Sequence, residues 1–191
     1  MPTEVHVALK ELSIGSTIPP FKDLPGIDGK IYGVSDFTGS QVLVVVFSCN
    51  HCPYVQAYED RMKEFQSVYG PQGVRLIAIN SNETVNYPED NFDEMVKRAR
   101  ARGFNFPYLR DEHQSVADAF GATHTPEFFV FAPKAGTRDF VLQYRGKMDD
   151  NYQQPAAVKR RYLQEAVESI LAGRPVVEAE THSIGCTIKW K

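Results

Sequence analysis

The chain has 191 residues, with 24 Asp and Glu against 21 Lys and Arg, for a net charge of −3. That length suits one domain with a full hydrophobic core, and the charge balance does not point to a nucleic-acid partner. Three cysteines are too few for a disulfide framework. No segment approaches the roughly 20 apolar residues that a membrane-spanning helix needs. The opening M-P-T-E-V-H-V-A-L-K has neither a basic n-region nor an apolar h-region, so the expected setting is the cytoplasm, away from any membrane.

Residues 1–40 carry Pro19, Pro20, Pro25 and short β-like pieces such as 30–34. They read as an N-terminal extension with a hairpin packed against a core sheet. Val42–Phe47 is a continuous apolar run, as expected of a central strand buried on both faces. The turn S-C-N-H-C-P follows, and then Val55, Tyr58, Met62, Phe65 and Tyr69 mark one helix face. Gly70, Pro71 and Gly73 end that helix, and 74–79 supplies a second buried strand, completing a β-α-β unit. Residues 80–90 read as a polar loop on the side where the first strand delivers Cys49. Asn91 and Glu94 resemble a capping box; Phe92, Met95, Val96 and Ala99 give the next helix its stripe, stopped by Gly103. Within that helix the run K-R-A-R-A-R (97–102) reads as a solvated face. A strand is predicted at 106–109 and a short helix at 114–120. Residues 128–131 and 140–145 form an antiparallel hairpin, and a final helix opens at Pro155 and closes at Gly173. Residues 174–191 form a C-terminal tail without clear periodicity. The whole, 1–191, reads as a single α/β domain, a central mixed β-sheet flanked by helices.

The chemistry concentrates at Cys49 and Cys52. A C-x-x-C at a helix N-terminus places free N–H groups and the helix dipole beside the first thiol and favours its thiolate. Cys49 is therefore expected to be the more exposed thiol with the lower pKa, and Cys52, one turn inside, the more buried. The two are close enough to close a disulfide, so the pair can attack, form a mixed disulfide and release it. His51, inside the motif, has two readings, an imidazole that stabilises the Cys49 thiolate or a solvated polar residue at a helix start. Cys186 is unpaired once 49 and 52 are coupled. If the tail folds back, anchored by Ile184, Ile188 and Trp190, it becomes a candidate third redox thiol; otherwise it is a packing residue. His124 adjoins Thr125 and Pro126, and reads as an acid-base or metal contact, or as an ordinary rim residue. His6, His113 and His182 have no identifiable partner.

The element order, with Thr-Pro ahead of the third long strand, resembles the thioredoxin superfamily. The lead-in D-F-T-G-S-Q-V-L-V-V-V-F is similar to its redoxin branch, the AhpC/TSA and TlpA-like proteins. The strings C-N-H-C-P-Y, Y-P-E-D-N-F, G-F-N-F-P-Y-L-R-D-E, T-P-E-F-F-V-F, Y-R-G-K-M-D-D-N and I-G-C-T-I-K-W-K carry the likeness across about residues 12–191. The resemblance implies a thioredoxin-like fold, with Cys49 as attacking and Cys52 as resolving cysteine. It also implies that Pro126 is cis, and that the Thr125 backbone is presented to an extended substrate segment. Two positions depart from the pattern. Ser48 stands where thioredoxins usually place Trp, and no buried carboxylate is evident in the strand before Cys49.

The expected function is thiol-disulfide oxidoreduction on a protein or low-molecular-weight disulfide or thiol partner, with no cofactor and no metal. The sequence sets no oligomeric state. One alternative is a peroxiredoxin-like antioxidant peroxidase, but aligned on Cys52 the P-x-x-x-T-x-x-C pattern of that group meets Cys49 at the threonine and Val45 at the proline. The other is a copper- or zinc-binding module using Cys49, Cys52, His124 and Cys186.

Overall fold

The computed structural model describes residues 11–191; His6 and the start of the N-terminal extension lie outside them. A short hairpin pairs β1 (Leu24–Pro25) with β2 (Ile31–Tyr32). β3 (Val42–Phe47) leads into α1 (Pro53–Tyr69) and β4 (Val74–Asn80). α2 (Phe92–Arg102), β5 (Tyr108–Arg110) and α3 (Ser115–Phe120) follow. β6 (His124–Thr125) precedes β7 (Glu127–Pro133) and β8 (Phe140–Gly146), and α4 (Tyr162–Leu171) and β9 (Cys186–Thr187) complete the chain.

The main sheet runs β5-β4-β3-β7-β8, with β3 parallel to β4 and antiparallel to β7. This is the mixed sheet of a thioredoxin-like fold. The apolar run of β3 is central because both of its faces are covered. Val42, Val44 and Val46 point to Val55, Met62 and Phe65 of α1, Met95 of α2, and Leu163 and Val167 of α4. Leu43, Val45 and Phe47 point the other way, to Phe120 of α3 and Phe129 and Phe131 of β7. Alternation with period two thus feeds two cores from one strand.

The N-terminal hairpin lies against β5 at the sheet edge, where Gly26 bridges Leu109 and Ile27 N–H donates to the Tyr108 carbonyl at 3.1 Å. Asn91 caps α2 by accepting from Glu94 N–H at 2.9 Å. The Glu94 side chain turns instead to Lys97, so half of the capping box forms.

Two expectations need correction. Pro155 opens only a 3-10 turn, Pro155–Ala157. The chain then extends at Val158, where Asp150 Oδ1 accepts from Lys159 N–H at 3.0 Å, and α4 begins at Tyr162. The 97–102 run is not simply solvated, because Arg98 forks onto the fully buried Glu59 of α1, with Nε–Oε2 at 2.9 Å. The polar loop after β4 forms as expected, with residues 80–83 buried. No helix among the described residues is long and apolar enough to cross a membrane.

Candidate active site

β3 stops at Phe47, and Ser48 N–H still bonds the Ile79 carbonyl at 2.8 Å, so the turn leaves the sheet beside β4. Asn50 fixes the turn with its polar atoms. Its N–H donates to Asp90 Oδ1 at 2.7 Å and its Nδ2 to the Glu89 carbonyl at 2.9 Å. Its Oδ1 accepts from the Tyr108 hydroxyl at 2.8 Å, and its carbonyl accepts from Gln56 Nε2 at 2.9 Å. Asp90 is fully buried and also accepts from Asn82 Nδ2 at 2.9 Å. Burial of these groups is tolerable because they are hydrogen-bonded.

All three cysteines are free thiols. Cys49 is 2% exposed and Cys52 0%, so the expected order of exposure holds only marginally and both thiols are buried. The helix also begins later than expected. Pro53 is its first residue and Cys52, at φ −68° and ψ 121°, is its N-cap. The positive end of the α1 dipole therefore serves Cys52. A hydrogen bond from Cys49, a second from Cys186 and the facing Val55 N–H hold the Cys52 thiol down at about 4, against the opposing effect of burial. Cys49 is pushed up by the same bond to Cys52, by burial and by the charge of Asp90. These contacts favour the thiolate at Cys52 over Cys49, the reverse of the order expected from the sequence.

The Thr125–Pro126 peptide is cis, as the resemblance implies. Thr125 faces both thiols. Its hydroxyl lies 3.5 Å from Cys49 Sγ, and its carbonyl oxygen lies 3.4 Å from Cys52 Sγ. Glu127, buried just beyond, accepts from Thr123 N–H at 2.9 Å and His124 N–H at 3.1 Å and so braces β6. The tail folds back as β9 on β6, pairing Cys186 with Thr125, and Cys186 Sγ comes 2.8 Å from Cys52 Sγ. Ile188 is buried and Trp190 packs against the core, whereas Ile184 is 49% exposed and anchors nothing.

His51 does not belong to Cys49 alone. Its Nδ1 lies 2.6 Å from Asp90 Oδ2, and its ring stacks on Tyr87 with centroids 6.0 Å apart. Among the described residues, Cys49 Sγ, a His51 ring nitrogen and an Asp90 oxygen lie within 4.8 Å of one another. No three of Cys49, Cys52, His124 and Cys186 gather to that spacing. His124 bonds Thr123 Oγ1 through Nδ1 at 2.7 Å and lines a separate cleft of about 370 Å³ with Arg145, Glu180 and His182. Among the described residues, the metal set of the alternative reading is not assembled.

Asp90, Asn50, Asn82 and Tyr108 were not singled out from the sequence. The available signal was a run of polar residues, N-S-N-E, directly after a buried strand, together with the string Y-P-E-D-N-F. The buried carboxylate absent from the strand before Cys49 arrives from that loop instead.

Fold and site define a dithiol protein of thioredoxin-like architecture. Residues 14–148 match the model of the AhpC/TSA family, and the chain belongs to that family. It is 38% identical to an uncharacterized conserved protein from Geobacillus kaustophilus of solved structure, with a TM-score of 0.86 and coverage of 95% of this chain and 94% of that one. A hypothetical protein from Sinorhizobium meliloti 1021 is 34% identical, with a TM-score of 0.84 and coverage of 95% and 97%. The thiol-disulfide oxidoreductase ResA of Geobacillus thermodenitrificans is 28% identical over 140 residues, 72% of this chain and 74% of that protein.

Proposed function

We infer that this chain is a thiol-disulfide oxidoreductase running on the Cys49/Cys52 pair, with protein or low-molecular-weight disulfides and thiols as partners. One observation carries the reading. The two thiols sit together at a strand-to-helix turn, both facing Thr125 at the edge of β6. The ResA relatives, which bear this activity in their name, support it.

The reduced pair gives up two electrons as the Cys49–Cys52 bond closes, while the partner's disulfide opens to two thiols that take up the protons. Cys52 supplies the charge for this exchange. A thiolate held well below its ordinary value is a good leaving group, and it stabilises the reduced state, so the disulfide is easily reduced. Thr125 is positioned to orient both sulfurs, and Asp90 with His51 sets the charge around Cys49. Reduction of insulin by dithiothreitol tests the reading. The wild-type chain accelerates it, and Cys52→Ser falls to the rate of dithiothreitol alone. Undiminished turnover by Cys52→Ser would overturn it.

A further inference from the structure

Cys186 lies outside the C-x-x-C motif, yet its sulfur touches Cys52 at 2.8 Å. The tail is fastened on both sides of this contact. Ile188 N–H donates to the Thr123 carbonyl at 2.9 Å, continuing the β6–β9 ladder. Lys189 N–H donates to Asn82 Oδ1 at 2.9 Å, and its carbonyl accepts from Glu83 N–H and from Gln114 Nε2, both at 2.8 Å. Gly185 shows how close the approach is. A Cβ there would meet the Thr125 carbonyl oxygen at 2.1 Å and its carbon at 2.7 Å, so only glycine lets the two backbones come this near.

β9 therefore lies on the main-chain edge of Thr125, where an extended disulfide partner would add as a strand. The order of burial follows the same line. Cys49 and Cys52 are sealed, while Cys186 is only partly buried. Of the three cysteines, Cys186 lies nearest to solvent.

We propose that Cys186 is a third redox thiol that exchanges disulfide partners with Cys52, carried on a tail strand that occupies the partner's edge and links the buried pair to the outside. The proposal rests on the dithiol reading above. In the exchange, the Cys186 thiolate attacks Cys52 Sγ of the Cys49–Cys52 disulfide. The Cys52–Cys186 bond forms as the Cys49–Cys52 bond breaks, and Cys49 takes up the proton that Cys186 released. No electrons are gained or lost in this step. A partner thiol then attacks Cys186 Sγ and Cys52 leaves; the partner's second thiol frees Cys186, so two partner thiols become one disulfide. The reverse sequence reduces a partner disulfide. Burial and the hydrogen bond to Cys52 hold the Cys186 proton on in the reduced chain. Once Cys52 is in a disulfide it carries no charge, and its share of that hold is gone.

The full-length wild-type chain and Cys49→Ser are equilibrated with mixtures of reduced and oxidised glutathione, quenched in acid, alkylated and mapped by mass spectrometry. Cys49→Ser is expected to form an internal Cys52–Cys186 bond, and the wild type a Cys49–Cys52 bond. Gly185→Ala, which pushes the strand off Thr125, should raise alkylation of Cys52 in the reduced chain about tenfold, as local opening becomes easier. Glutathione adducts alone on Cys49→Ser, with the Cys49–Cys52 bond intact in the wild type, would overturn the proposal and leave the dithiol reading standing. A wild-type chain that forms no Cys49–Cys52 bond would overturn the dithiol reading itself.

Discussion

Cys52 is the sulfur on which the site converges. It caps α1, lies 2.8 Å from Cys186 Sγ and 3.4 Å from the Thr125 carbonyl oxygen, and is wholly buried. Titration of the reduced chain by thiolate absorbance is expected to show one thiolate appearing near pH 4, with Cys186 following only at about 11. Cys52→Ser should lose the acidic step. Unfolding returns Cys52 to its ordinary value of 9.0. Between about 4 and 9 the unfolded chain therefore binds the extra proton, and the stability contributed by Cys52 rises with pH across that window. It is fully present above the ordinary value and gone below about 4. A second expectation concerns Asp90, whose charge helps hold the Cys49 proton on. Asp90→Asn should lower the Cys49 pKa, read as faster alkylation of Cys49 at a fixed alkaline pH. An unchanged rate would remove Asp90 from the electrostatics of the pair. At this scale the sequence revealed the two cysteines, Thr125 and Pro126, because C-x-x-C and Thr-Pro are local strings. It hid Asp90, since a carboxylate that reaches its partners from forty residues away in sequence leaves no local spacing to read. It also misassigned the thiolate, because the exact start of a helix decides which cysteine receives its dipole.

Among the elements, β3, α1 and β4 were legible because their apolar periods are unbroken and their ends are marked by glycine and proline. The start of α4 was not. Pro155 signals a helix opening, but the Asp150 bond to Lys159 N–H holds the next residues extended, a choice made by side-chain placement rather than by propensity. The α1–α2 contact shows the same limit. A basic run on a helix normally faces water, yet Glu59 on α1 is fully buried and must be neutralised, and Arg98 does this. Arg98→Ala removes both short bonds to that charge, leaving only Arg102 Nε at 3.7 Å, and should cost about 3–5 kcal/mol in denaturant unfolding, the range for a broken buried pair. A cost near that of a surface ion pair, about 0–1 kcal/mol, would show that Glu59 is satisfied without it.

For the molecule as a whole, one strand organises both cores and delivers the thiols at its carboxyl end, while the tail returns across more than half the chain's length to close over them. The return itself was suggested by Ile188 and Trp190, and Gly185 permits its close approach to Thr125. The partner edge, the buried pair and the tail cysteine form one continuous line, and the central claim is that its redox couple is Cys49 with Cys52. The most direct measurement is a redox titration of Cys186→Ala in glutathione buffers, read by peptide mapping, because removing the third thiol isolates the pair. A single two-electron transition that forms one Cys49–Cys52 bond is the predicted result. Thiols that stay free at every ratio, or that gain only single glutathione adducts, would contradict it.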